Sequence, residues 1–439
     1  MIINFDKYQN LINNTHLTND SGKVTEVTGL IIKGYIPGVS VGSICEIQTA
    51  ASDKPVLAEV VGFRDRHVLM MSLGSQQGIS MGSKITLSKS IATVKVSEEL
   101  LGRVVDGMGK ALDNGPEIEI TNEVSLYGEV VNPLMRAPIR ESLDVGVRAI
   151  NAAITAGRGQ RVAIMAGSGV GKSVLMGMMA KQTEADVNVI ALIGERGREV
   201  REFIENELGE EGMRKTVVVC VTSDQSPLLR MRGAFVATAI AEYFAHTGKS
   251  VLLVMDSVTR FAMAMREIGL SIGEPPSTKG YTPSVFSTLP KLLERAGNFE
   301  GSGSITGFYT TLVEGDDMND PIGDAVRSIV DGHIVLSRAI AHKGHFPAID
   351  VLQSASRVMK AVTDPDHVRM AQKLREILAT YRDAEDLINV GAYKAGANPK
   401  IDKAIKLIDP INEFLRQRTE DHSNMEQCMR KLSQIVAGA

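Results

Sequence analysis

Residues Ala166-Gly-Ser-Gly-Val-Gly171-Lys172-Ser173 place glycines, a lysine and a hydroxyl in the order needed to wrap a chain of phosphates. Glycines let consecutive backbone N–H groups turn inward, and a helix starting at the end of the loop adds the positive end of its dipole. Lys172 then reaches the β- and γ-phosphate oxygens, and Ser173 offers a hydroxyl to Mg²⁺. Gly167, Ser168, Gly169, Val170 and Gly171, with Lys172, Ser173 and Val174 opening the helix, form the candidate nucleotide-binding loop. Ala166 stands where such loops usually carry their first glycine. That residue is therefore expected to keep a negative φ, with the N–H cradle beginning at Gly167. A glycine-rich turn with a stray lysine is the simpler reading. Context favours the phosphate loop: Arg161–Met165 reads as a short buried strand, and Lys172–Thr183 as a helix with Val174, Leu175, Met178 and Met179 on its apolar face.

Two further segments end in carboxylates. Ser250–Met255 is an apolar strand that delivers Asp256 at its C-terminal end, the edge at which α/β sheets bind ligands and where a carboxylate can serve Mg²⁺ beside Ser173. Val187–Ile193 is a second such strand, followed by Gly194-Glu195-Arg196-Gly197-Arg198-Glu199. Glu195 can polarise an attacking water, and Glu199, one helical turn on, can approach the metal's outer ligands. The competing reading of this run is a solvated cluster of alternating charge that opens a helix.

These residues need a scaffold. At 439 residues the chain exceeds one average core, so about two or three domains are expected. Between Lys23 and Ile91 short β-like runs (Val24–Ile32, Ile44–Ile47, Val56–Val61, Val68–Ser72, Lys84–Leu87) alternate with Gly and Pro, as in a small β-barrel. From about Thr93 to Asp364, strands alternate with helical stretches, which indicates a parallel α/β sheet. His367 to Ala439 is mostly helical, with expected breaks at Gly391–Pro399 and at Pro410. Met425, Met429, Leu432, Ile435 and Val436 form the packing face of its last helix. Ile2, Ile3, Phe5, Tyr8, Leu11, Ile12 and Leu17 fit either one face of a docking helix or a frayed terminus. A net charge of −4 and 44% hydrophobic residues describe a globular chain and argue against a general polyanion binder. Cys45, Cys220 and Cys428 lie far apart with no C-x-x-C, which argues for a reducing compartment. The N-terminus lacks a basic stretch followed by an apolar core, and the apolar runs elsewhere are strand-length, so neither an export signal nor a membrane span is expected.

Together with the loop, Gly194-Glu-Arg-Gly-Arg-Glu199, Met255-Asp-Ser-Val-Thr-Arg260 and Pro347-Ala-Ile-Asp-Val-Leu-Gln-Ser-Ala-Ser-Arg357 resemble motifs of the catalytic subunits of rotary ATPases, closest to the type III protein export ATPases. Gly273–Phe286, Asp320–Arg327 and His345–Asp350 look like the flagellum-specific branch. Leu101–Gly109 and Pro138–Val147 also fit, so the resemblance runs from about residue 21 onward. It implies an α/β fold: a phosphate-loop, parallel-sheet ATPase domain (94–364) between a small N-terminal β-barrel (21–93) and a C-terminal helical domain (365–439), preceded by a partner-docking segment (1–20).

The resemblance further implies Mg²⁺-dependent ATP hydrolysis that energises flagellar protein export. Glu195 is then the catalytic carboxylate, Arg196 braces the carboxylate network, and Lys172 and Arg260 contact the γ-phosphate. Ser173 and Asp256 serve Mg²⁺, with Glu199 behind them. Arg357 looks like an arginine finger donated across a subunit boundary, although an Arg paired to a nearby acid has the same sequence signature. Phe346 and Tyr393 resemble the two aromatic residues that sandwich adenine. The implied partners are further copies of the chain in a homohexamer, a stator-like regulatory subunit at the N-terminus, a central stalk, and the export gate with its cargo and chaperones. The implied place is cytoplasmic, peripheral to the inner-membrane export apparatus.

Virulence injectisome ATPases share this catalytic set. A rotary ATP synthase β subunit fits less well, because the C-terminal region has no acidic lever segment and the adenine side reads His345-Phe-Pro. An RNA-translocating terminator needs stacking aromatics in its barrel, where residues 21–93 offer only Tyr35 and Phe63, so no nucleic-acid partner is expected. A scaffold for cargo, with hydrolysis secondary, is the reading of a different class. His333, His342 and His345 lack metal-ligand spacing. Glu314–Asp320 has calcium-loop composition without the twelfth-position Glu, and by resemblance faces a central pore.

Overall fold

The computed structural model describes residues 21–50, 54–128, 132–313 and 320–437. The N-terminal docking segment and most of the acidic loop at 314–320 lie outside them. Two compact units are present. One comprises the chain up to Thr93 together with Glu267–Pro275, and the other Val94–Arg266 with Pro276 onward.

In the first unit, β1 (Ser21–Thr28), β2 (Ile31–Tyr35), β3 (Ile44–Ile47), β4 (Val56–Arg64), β5 (His67–Ser72) and β6 (Lys84–Lys89) close into a barrel in the order β1-β2-β5-β4-β3-β6. Alternation points Val24, Ile32, Cys45, Ile47, Val60, Val68, Met70 and Ile85 into its interior. The run Val24–Ile32, expected as one strand, is a hairpin: Thr28 pairs with Ile31 around a turn at Gly29-Leu30. Apolar content on both sides of a two-residue turn hides the reversal. Glu267–Pro275 joins this unit although the sequence places it inside the ATPase region, and the Arg64 side chain donates to the Ile272 carbonyl.

The second unit is built on β7 (Val104–Val105), β8 (Arg161–Ala166), β9 (Val187–Glu195), β10 (Thr216–Thr222), β11 (Ser250–Asp256), β12 (Ser304–Leu312), β13 (Gly332–Leu336) and β14 (Ala355–Ser356). The sheet order is β14-β13-β8-β12-β11-β9-β10-β7, parallel except at β14. Eight of the nine residues of β9 are buried, as expected of a central strand covered on both faces. The strands read from sequence at Arg161–Met165, Val187–Ile193 and Ser250–Met255 are all present. The two-residue edges β7 and β14 are too short to produce an alternation signal.

Helices α1 (Arg148–Ala153), α2 (Lys172–Gln182), α3 (Gly197–Glu202) and α4 (Pro227–His246) belong to this layer. At the C-terminus, α5 (Pro365–Asn389), α6 (Pro399–Leu415) and α7 (Met425–Ala437) share one continuous apolar core with α1 and α2, running through Ile150, Met179, Leu374, Leu407, Ile411 and Leu432. Asp364 and Asn398 cap α5 and α6, each before a proline at the first helical turn. Pro410 does not break α6, contrary to the expected break. Both Pro410 and Lys406, whose carbonyl loses its helical donor, are exposed, so water can satisfy the orphaned oxygen. The α6–α7 connection is strapped to the start of α1: Gln417 donates to the Gly146 carbonyl at 2.7 Å and accepts from the Arg148 N–H at 2.8 Å.

Candidate active site

Buried β8 ends at Ala166, whose carbonyl accepts from Val313 N at 3.0 Å, so the turn begins at Gly167 as expected. Gly169 and Gly171 have φ of 78° and 87°, values that side-chain-bearing residues avoid, and Val170, 1% exposed, pins the loop to the core. Helix α2 starts at Lys172. Leu175, Met178 and Met179 are buried, but Val174 is not on their buried face; it is 36% exposed and lines a cavity beside the loop.

Parallel strands bring the acidic groups to this edge. Leu192 of β9 pairs with Asp256 of β11, which puts Asp256 and Glu195 at neighbouring strand ends. The Lys172 ammonium is ion-paired to Asp256 and lies 3.7 Å from Glu195 Oε1. Thr310 Oγ1 donates to Asp256 Oδ1 at 2.7 Å. At Gly194 the ladder shifts and φ reaches 73°; a Cβ there would sit 2.9 Å from the Arg260 Cβ. A glycine is thus needed to aim Glu195 and to let the Arg260 stem approach.

Burial raises the Glu195 pKa to about 7, and the Asp256 charge and a hydrogen bond with Glu199 push the same way, against the cations of Lys172 and Arg260. Half-protonated near neutrality, Glu195 suits a group that must orient and deprotonate water. The Arg260 guanidinium has a buried Nε without a protein partner. Arg196 is largely exposed and pairs with Glu199 at 3.2 Å, so it reaches Glu195 only through Glu199.

The oxygen donors here, the Ser173 hydroxyl and the Asp256 and Glu199 carboxylates, suit a hard cation. Among the described residues no three metal-binding side chains converge on one point. Mg²⁺ takes one or two protein oxygens and fills its remaining positions with phosphate and water, so a hydroxyl and a carboxylate could hold it.

Beside the loop opens a cavity of about 1090 Å³. It lies on the flank of Gly171, away from the Lys172–Asp256–Glu195 cluster. Phe346 lines it, 47% exposed, with its ring against Gly171, and Val174, Phe414, Gln417 and Arg148 are among the other wall residues. The structure does not bring Tyr393 to this wall. Its hydroxyl is spent on the Asn398 carbonyl at 2.9 Å and Asp402 at 3.0 Å, in the turn between α5 and α6. Phe414 and Gln417 were not singled out from sequence; Phe414 reads there as one more apolar residue of α6. Burial and Arg416 lower the His345 pKa to about 4, and His333 Nε2 lies 2.9 Å from the Gln353 carbonyl.

Arg357 stands apart. Its backbone N–H donates to the Asp331 carbonyl at 2.9 Å, and Asp331 pairs with Arg161 at the start of β8. The phosphate loop follows the other end of that strand, so Arg357 is roughly 15–20 Å away at ~3.3 Å per residue. Its side chain is exposed. This chain's Arg357 cannot serve its own loop.

Three family models match the chain. "ATP synthase alpha/beta family, nucleotide-binding domain" covers residues 146–356, the beta-barrel domain of the same family covers 24–88, and "T3SS EscN ATPase C-terminal domain" covers 363–434. The chain is 51% identical over 434 residues to the Flagellum-specific ATP synthase of Bacillus subtilis, covering 98% of this chain and 99% of that one. Among solved structures, the assembled ATPase EscN of the enteropathogenic E. coli type III secretion system is 46% identical with a TM-score of 0.89, over 94% of this chain and all of that one. EscN in complex with its central stalk EscO gives 45% and 0.88 over the same shares.

Proposed function

This chain belongs to the ATP synthase alpha/beta family, and from that premise we propose that it hydrolyses ATP to energise protein export by the flagellar type III apparatus. The observation that carries the reading is the cluster at the strand ends: Lys172 held between the Asp256 and Glu195 carboxylates, directly after a phosphate loop. Full-length identity of 51% to a flagellum-specific relative favours the flagellar system over the related injectisome.

In the loaded site, the loop amides and Lys172 hold the β- and γ-phosphates, and Arg260 offers its guanidinium to the γ-phosphate. Ser173 and Asp256 hold Mg²⁺, with Glu199 behind them; the ion supplies charge neutralisation at the phosphate oxygens. Glu195 orients the attacking water and takes up its proton. Arg196 steadies Glu199, and Arg357 of a neighbouring chain neutralises charge developing in the transition state. Phe346 offers one face to adenine.

The assembled EscN and its complex with EscO support a homohexamer around a central stalk. Residues 1–20 dock a stator-like partner, and the assembly delivers cargo and chaperones to the export gate from the cytoplasmic side. No helix among the described residues is long and apolar enough to cross a membrane.

Lys172→Ala tests the reading. The folded variant is expected to lose affinity for a fluorescent ATP analogue by about a hundredfold, since a charge-assisted contact to phosphate is removed. In place of the parent it should abolish secretion of flagellar subunits. Parental affinity in the variant would remove the loop from the mechanism, and intact secretion without hydrolysis would make the chain a scaffold.

A further inference from the structure

Thr310 lies in the middle of the sheet, fully buried, with β8 on one side and β11 on the other. Met255 pairs with Tyr309, so the next residues along the two strands, Asp256 and Thr310, are also neighbours. The Thr310 hydroxyl donates to Asp256 Oδ1 at 2.7 Å, and that same oxygen carries the ion pair with Lys172. Asp256 is 3% exposed.

These two partners of one oxygen differ in mobility. Lys172 is long and flexible, and its ammonium is shared between Asp256 and Glu195. Its work on the β- and γ-phosphates draws it off the carboxylate. Thr310 is β-branched, stiff at χ1 and set in a strand bonded on both edges, so it stays. A buried carboxylate that loses its counter-ion must keep its remaining hydrogen bond or lose its position.

We propose that Thr310 is a positioning residue for the metal–nucleotide site: its hydroxyl keeps the Asp256 carboxylate aimed at the cation while Lys172 exchanges that carboxylate for phosphate. The inference rests on the assignment of Asp256 to Mg²⁺ made above. A threonine that only completed the packing of β12 would be replaceable by its isostere, valine.

The test uses the full-length protein and a ribose-labelled fluorescent ATP analogue. Its affinity is measured with excess chelator and again across a Mg²⁺ titration, for the parent, Thr310→Val, Thr310→Ala and Thr310→Ser. The loss of one charge-assisted hydrogen bond is expected to raise the Mg²⁺ midpoint on the order of tenfold in Thr310→Val. Affinity in chelator should change less than about twofold, and Thr310→Ser, which keeps the hydroxyl, should return the midpoint to the parental value. If Thr310→Val does not fold, Thr310→Ala carries the same expectation. A parental midpoint in either hydroxyl-free variant overturns the proposal. So does an equal loss with and without Mg²⁺, which marks general packing damage, or a serine variant that behaves like valine. A parent whose affinity ignores Mg²⁺ would instead overturn the Asp256 assignment, and this inference with it.

Discussion

Arg357→Ala chains, inactive alone, are expected to regain ATP hydrolysis when mixed with Lys172→Ala chains. The first variant keeps an intact phosphate loop and the second an intact finger. Arg357 sits by Asp331, at the end of β8 remote from the loop, so under the proposed mechanism the finger comes from another copy. In a ring of head-to-tail contacts mixed in equal amounts, about a quarter of the interfaces pair an intact loop with an intact finger. A finger is worth on the order of 10³ to 10⁵ in rate, or ~4–7 kcal/mol of barrier, well above an ordinary change in stability. The mixture should therefore recover a measurable fraction of parental turnover, and parental turnover per chain should climb with protein concentration. Full activity of Arg357→Ala by itself, or no recovery in a mixture shown to co-assemble, would refute the shared site.

Glu195→Gln should keep nucleotide binding while turnover falls by about 10² to 10⁴, because the amide preserves shape and loses the carboxylate that accepts the proton. The pH profile gives a second readout. With the Glu195 pKa near 7, chiefly from burial, the group is protonated and inactive at low pH. As pH rises its active, ionised share grows from about a tenth at pH 6 to about nine-tenths at pH 8, so kcat/KM of the parent should rise roughly tenfold over that span. Residual turnover of Glu195→Gln should lose that limb. Parental turnover, or an unchanged limb in the variant, would assign the water-activating role to another group.

The parts of this molecule legible in its sequence are those where chemistry depends on neighbours along the chain. The loop from Gly167 to Ser173 works through consecutive backbone amides. Long buried strands such as Val187–Ile193 and Ser250–Met255 announce themselves by uninterrupted apolar runs, and their following carboxylates mark the ligand edge of the sheet. Ordered motifs extended this to the family and to Arg357, which spacing alone could not separate from an ordinary paired arginine.

Tertiary structure decided whatever depends on which strands become neighbours. No local pattern reports that β11 lies between β9 and β12, yet that order puts Glu195 and Asp256 around one ammonium and Thr310 against the Asp256 carboxylate. The same crowding, through burial and like charge, lifts Glu195 to about 7. Gly194 is required by the Arg260 stem, sixty-six residues on, and Phe414 rather than Tyr393 lines the cavity with Phe346 because the α6–α7 connection is strapped to Gly146 and Arg148. Pro410 stays within a helix at an exposed position, where water can satisfy the carbonyl of exposed Lys406. Residue order specifies the groups available to a site; distances between them, and hence their charge states and partners, come from strand order and burial.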